Sequence, residues 1–205
     1  MVWYTGFNMP YHFFKKKIME TICIDPGHGG QDFGAVYGDK NDYVAEKNFN
    51  LSISFFLLYE LMLTGYHVIM TRSTDETLSL YDRCMIANKN KCDLFISIHG
   101  DAFGDPSVSG STTHISKNAS VEAEQIACLI NDEFKIAFPS RKNRGTKKSN
   151  FYVLKHTQMS AVLVECDFLS NPKSRRFLKK PENQMAIAKS ICHAVSQYTE
   201  TNKSH

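Results

Sequence analysis

Four side chains in this sequence have the types and settings of a hydrolytic metal centre: His28, Glu46, His99 and Glu165. His28 stands in D-P-G-H-G-G and His99 in S-I-H-G-D, so each histidine closes an apolar run and is followed by glycine. Glycine lacks Cβ, so the backbone there can take positive φ and a ligand can approach closely. A turn whose imidazole simply faces solvent is the alternative for either histidine. Glu46 falls where a helix should begin, and its plain alternative is a charge that favours the helix dipole by roughly 0.3–1 kcal/mol. Glu165 ends the run A-V-L-V-E. Burying that carboxylate without a partner would cost several kcal/mol, so it should face a cleft, a cation or a donor network, a salt bridge being the alternative.

Two imidazoles and a carboxylate make a catalytic zinc set. Three protein ligands leave a fourth tetrahedral position for water, whose pKa falls towards about 7. His28, Glu46 and His99 are the expected ligands. The chemistry then needs a second carboxylate to take a proton and return it to a leaving amine, and Glu165 is the candidate.

The elements that must position these groups alternate between strand and helix patterns. Thr21 to Ile24 reads as a buried strand, Val44 to Leu63 as a long helix with Leu51, Phe55, Leu58 and Met62 at spacings of three and four, and Tyr66 to Thr71 as a second strand. Leu78 to Asn90 is a helix, with Leu80, Cys84 and Ala87 on one side, and Leu94 to Ile98 a strand. Gly110 to Ser116 reads as a strand, in which His114 is a surface or hydrogen-bonded residue rather than a ligand. Ala119 to Phe138 is a helix capped by Asn118 or Ser120, Pro139 to Ser149 a basic loop and Phe151 to Lys155 a strand. Ala161 to Glu165 is the last core strand, Phe168 to Asn171 a turn and Pro181 to Tyr198 a closing helix. The order predicts one α/β domain: a mostly parallel twisted sheet of about six strands with helices on both faces. Its functional edge is the carboxyl end of the strands, where ligand crevices form.

Residues 1–20 read as an aromatic and basic extension, residues 21–198 as the catalytic domain and residues 199–205 as a frayed tail. The net charge of +3 is too mild to imply nucleic acid, and no stretch reads as a membrane span. Basic residues gather at 15–17, 141–148 and 173–180, where solvated loops and helix faces are expected. Six cysteines without a C-x-x-C pair suit buried thiols in a reducing compartment rather than a disulfide framework. Residues 1–19 place aromatics before Lys15 to Lys17, the reverse of a secretory signal, so a chain made in the cytoplasm is expected.

Several segments carry a family resemblance in a fixed order. They are I-D-P-G-H-G-G-Q-D-F-G-A (Ile24 to Ala35), Glu46-Lys47 with Asn50-Leu51, T-R-S-T-D (Thr71 to Asp75) and L-S-L-Y-D-R (Leu78 to Arg83). There follow Ala87-Asn88, L-F-I-S-I-H-G-D-A (Leu94 to Ala102), Arg144-Gly145, Val153-Leu154 and V-L-V-E-C-D-F-L-S-N (Val162 to Asn171). From about Thr21 to about Tyr198 the chain resembles the zinc-dependent N-acetylmuramoyl-L-alanine amidases of the Amidase_3 type. The resemblance implies cleavage of the amide between the lactyl group of N-acetylmuramic acid and the L-alanine of the stem peptide. It also implies zinc on His28, Glu46 and His99, with Glu165 as general base and then acid, and peptidoglycan as the partner. Cys166-Asp167 and Ser160-Ala161 depart from the family's usual residues.

Some members carry an inserted helix that plugs the zinc site, and Phe103 to Gly110 and Phe138 to Phe151 are too short to hold one. An uncovered, intrinsically active monomer is expected, acting on the wall after release, with a phage-type lysis enzyme as the setting and a host remodelling enzyme as the alternative. Two rival functions remain at this point: a zinc peptidase acting within the stem peptide, and a catalytically silent wall-binding module.

Overall fold

The computed structural model describes residues 21–40 and 43–202. The aromatic extension expected over residues 1–20 lies outside the described residues. β1 (Thr21–Pro26), β4 (His67–Met70), β5 (Leu94–Asp101) and β8 (Ser160–Phe168) run parallel, and β6 (Ser111–Ser116) and β7 (Asn143–Ser149) complete a sheet of order β4-β1-β5-β8-β6-β7. β6 is antiparallel to β8 and parallel to β7, so the sheet is mostly parallel, as expected. A separate two-stranded ladder joins β2 (Val36–Tyr37) to β3 (Val44–Ala45).

Alternation along the strands divides the core in two. Ile22, Ile24, Ile96, Ile98, Val162 and Val164 face one cluster, built with α1 (Glu46–Leu63), α3 (Val121–Ala137) and α6 (Pro181–Asn202). Cys23, Phe95, Ala161 and Leu163 face the other, which Cys84 and Ala87 of α2 (Leu80–Lys89) and Val153 and Leu154 of α4 (Tyr152–His156) complete. Strands buried on both faces read as continuous apolar runs, which is why β1, β5 and β8 were legible. α5 (Pro172–Leu178) is capped by Asn171, whose side chain accepts from the N–H groups of Lys173 and Ser174.

Several local expectations are corrected. α1 buries Phe49, Ile53, Leu57 and Leu61, while Phe55 and Met62 of the expected stripe are exposed. So many of this helix's residues are apolar that two stripes fit its sequence, and the sheet selects the one in phase with Glu46. The expected loop over 139–149 contains β7, an edge strand whose polar residues show no apolar alternation. The expected strand over 151–155 is the short helix α4, whose Val153 and Leu154 are its buried residues. Leu80 of α2 is exposed, and Arg83 is buried with Cys84 and Ala87 instead. α6 continues to Asn202, and Thr199 is buried with its hydroxyl 2.6 Å from that of Tyr66, so the tail does not fray at 199. The cysteines are free thiols, and all but Cys128 are buried.

Candidate metal centre

The carboxyl ends of β1 and β5 and the first turn of α1 meet at one point. His28, Glu46 and His99 offer ligand atoms that all lie within 4.8 Å of one another. Glu46 does not cap its own helix. The β2-β3 ladder carries the chain into α1, and the Glu46 N–H donates to the Ala35 carbonyl at 2.9 Å. The carboxylate then turns to the histidines, with Oε2 3.1 Å from His28 Nε2 and Oε1 2.9 Å from His99 Nδ1. Backbone N–H groups of Ala35 and Gly100 and the Asn50 amide also donate to it. Burial pushes Glu46 up, but the two imidazoles outweigh it and hold the carboxyl well below the usual range.

Two glycines are required by space. A Cβ at Gly27 would fall on the His99 ring, and one at Gly34, where φ is +64°, would fall on Glu46 and His28. His28 itself adopts φ 60°, in the left-handed region. Its Nδ1 lies 2.8 Å from Asp32 Oδ2, which fixes the ring and leaves Nε2 towards Glu46.

The sequence reading missed what holds this loop. Arg72 and Arg83 are almost fully buried. Arg72 donates to the carbonyls of Pro26, Gly27 and Lys47, and Arg83 to those of Pro26 and His28. Arg83 also pairs at 2.8 Å with buried Asp25, which accepts from the hydroxyls of Thr71 and Ser97. Burial raises the Asp25 carboxyl, and Arg83 with these hydroxyls brings it below its ordinary value. Lys47 and Asp75 latch Gly30 from outside, Nζ on its carbonyl and Oδ1 on its N–H. T-R-S-T-D and Y-D-R are visible as motifs, but Arg72 donates to backbone carbonyls and the side-chain partners of Arg83, Thr71 and Asp75 lie 28 to 58 residues away, so spacing gives no sign of them.

Glu165 sits beside the ligands as the β5-β8 register partner of His99 and the β6-β8 partner of Thr112. It is 9% exposed, and its Oε2 is buried without a hydrogen-bond partner. Burial, then the charges of Glu46 and Asp101, push its pKa well above the ordinary value. A cleft of about 360 Å³, lined by His28, His99, Glu165, Arg83, Leu80 and Tyr152 among others, opens beside these groups. The residues that depart from the family next to Glu165 turn away from it. Cys166 joins the α1-α3-α6 core, and Asp167 is held by Arg141, Ser174 and the Gly110 N–H. His114 is nearly buried and hydrogen-bonds Ser149, apart from the ligand group.

Residues 22–197 match the Amidase_3 family, N-acetylmuramoyl-L-alanine amidase. The chain belongs to that family. This amidase-family chain is 34% identical over 203 residues to the probable cell wall amidase LytH of Staphylococcus epidermidis, covering 96% of this chain and 65% of that protein. It is 35% identical over 184 residues to the N-acetylmuramoyl-L-alanine amidase LytC of Bacillus subtilis, covering 87% of this chain and 35% of the relative. The catalytic domain of the amidase CwlV from Bacillus (Paenibacillus) polymyxa superimposes with a TM-score of 0.81 at 31% identity, covering 89% of this chain and 99% of that one. The chain therefore spans about two thirds of LytH and about a third of LytC. Among the described residues, no helix is long and apolar enough to cross a membrane.

Proposed function

We propose that this chain cleaves the amide between the lactyl group of N-acetylmuramic acid and L-alanine in peptidoglycan, using zinc held by His28, Glu46 and His99. The observation that carries the reading is the convergence of two imidazoles and a carboxylate beside a second carboxylate whose buried Oε2 has no partner. The donor set fits zinc, which takes nitrogen and oxygen ligands and keeps a position open in catalytic sites. What a bound zinc supplies is Lewis acidity, which polarises an amide carbonyl and acidifies water.

The protein residues do the rest. Asp32 orients His28, and the Ala35 and Gly100 N–H groups with Asn50 hold Glu46 in place. Glu165 takes the proton of the attacking water on its free carboxylate oxygen and delivers it to the departing alanine nitrogen. Leu80 and Tyr152 wall the cleft in which the substrate chain would lie. The loop between β5 and β6 is only nine residues and holds no helix, which supports turnover without an activator. The chain is proposed to act as a monomer on the cell wall.

Digestion of purified peptidoglycan by the zinc-loaded chain, read by product mass, tests this. Wild type should release stem peptides beginning at L-alanine and stop when chelated. Glu165→Gln should keep its zinc and lose turnover by about 100-fold or more, whereas His28→Ala and His99→Ala should lose both. Cleavage inside the peptide would identify a peptidase instead, and binding without cleavage a wall-binding module.

A further inference from the structure

A row of register partners runs across the sheet from the proposed metal centre towards the β7 edge. Starting from His99 on β5, the register runs to Glu165 on β8, Thr112 on β6 and the Arg144-Gly145 irregularity on β7. Of six buried side-chain polar atoms without a partner among the described residues, three lie in this row: Glu165 Oε2, Thr112 Oγ1 and Arg144 Nε. Buried polar groups are normally paired, so such a grouping marks a place completed by something else.

Arg144 is the informative member. On β7, Asn143 and Thr146 turn to Asn131 of α3, and the register shift between them, with Gly145 at φ 74°, releases Arg144 to the other face. There its guanidinium lies over the Phe168 ring at 5.1 Å. It makes no hydrogen bond or ion pair among the described residues. The neighbouring arginines differ: Arg141 is bound to Asp167, and Arg175 to the carbonyls of Leu169 and Ser170. Lys147, the register partner of His114, adds a second cation nearby.

The direction of the substrate follows from the proton. If Glu165 serves the leaving nitrogen, the departing peptide begins at Glu165 and the sugar lies towards His28. The second residue of that peptide carries its α-carboxyl about 7 Å further on, at an extended rise of about 3.4 Å per residue. β7 lies two strand spacings from β8, about 10 Å, a gap that an arginine side chain narrows.

We propose that Arg144 is the specificity-determining residue for the leaving peptide, taking a free carboxylate on the second residue of the stem. This rests on the amidase reading above. A planar guanidinium already placed over an aromatic ring loses little freedom on binding a carboxylate and can hold it through two hydrogen bonds. An amidated residue offers no charge to it.

The test uses the zinc-loaded chain and two muropeptides that differ only in whether the second stem residue is a free acid or its amide. Wild type should favour the acid by about tenfold or more in kcat/KM, mainly through KM. Arg144→Gln should slow the acid alone and erase the preference, and Arg144→Lys should keep part of it. Equal rates on both substrates in wild type, or an equal loss on both in Arg144→Gln, would overturn the proposal. Titration of the two free stem peptides onto both proteins separates this proposal from its parent. Release of no L-alanyl peptide from either substrate would refute the amidase reading, whereas acid-selective binding that Arg144→Gln abolishes would still support the carboxylate site. Binding without selectivity would overturn it.

Discussion

His28 pairs chemistry with an unfavoured backbone. A residue with a Cβ held at positive φ costs about 1–3 kcal/mol, and the Gly29-Asp32 bridge and the Arg83 bond to the His28 carbonyl supply the restraint. The same crowding explains Gly27. In Gly27→Ala the new methyl collides with the His99 ring, so zinc affinity should fall by about 10–100-fold, as when a group that orients a ligand is lost. Competition with a chromogenic chelator measures this, with circular dichroism as the check on folding. Unchanged affinity would mean that His99 is not held as a ligand in this position. All four candidate residues were legible because each ends an apolar run or opens a helix. Arg72, Arg83 and Asp32 were not, because their work is to hold backbone or a ring, which sequence spacing does not encode.

At the scale of elements, the buried stripe of α1 decides where Glu46 points. Glu46, Asn50, Ile53 and Leu57 lie at steps of three and four along one side of the helix, so the residue that meets the histidines is in phase with those that meet the sheet. Ile53→Ala should cost about 2–5 kcal/mol in urea unfolding. Phe55→Ala, on the exposed side, should change stability by less than about 0.5 kcal/mol. Equal effects would put both stripes in the core. Strands with neighbours on both faces were readable from their apolar runs, and α3 and α6 from their periodicity. β7 and α4 were not: an edge strand tolerates N-R-G-T-K-K-S, and five residues of Y-V-L-K-H are too few to show a helical period.

For the whole molecule, pH dependence follows from polar groups between the layers. Burial, then the charges of Lys147 and His99, lower the His114 pKa to about 4 from an ordinary 6.5. The folded state thus favours neutral His114. Its contribution is intact above about pH 6.5 and declines as pH falls from there to about 4, because the unfolded chain takes up the proton first. Chemical denaturation of wild type and His114→Gln across that range should show a shallower acid slope in the variant. Asp25 acts at lower pH. Its carboxyl lies below the ordinary value, so its contribution is complete above about pH 4 and is lost on further acidification. At neutral pH, Asp25→Asn should cost about 3–5 kcal/mol by stranding Arg83.

One feature of the ladder bears on how such an enzyme can be governed. His99 and Glu165 are register partners on adjacent inner strands, so the separation of their backbones is set by the ladder at about 5 Å. A swing of a loop leaves the backbones of Glu165 and His99 side by side at the centre of the sheet. A designer wanting a dormant form should therefore cover the cleft or release the latches on the His28 loop, and leave the core intact.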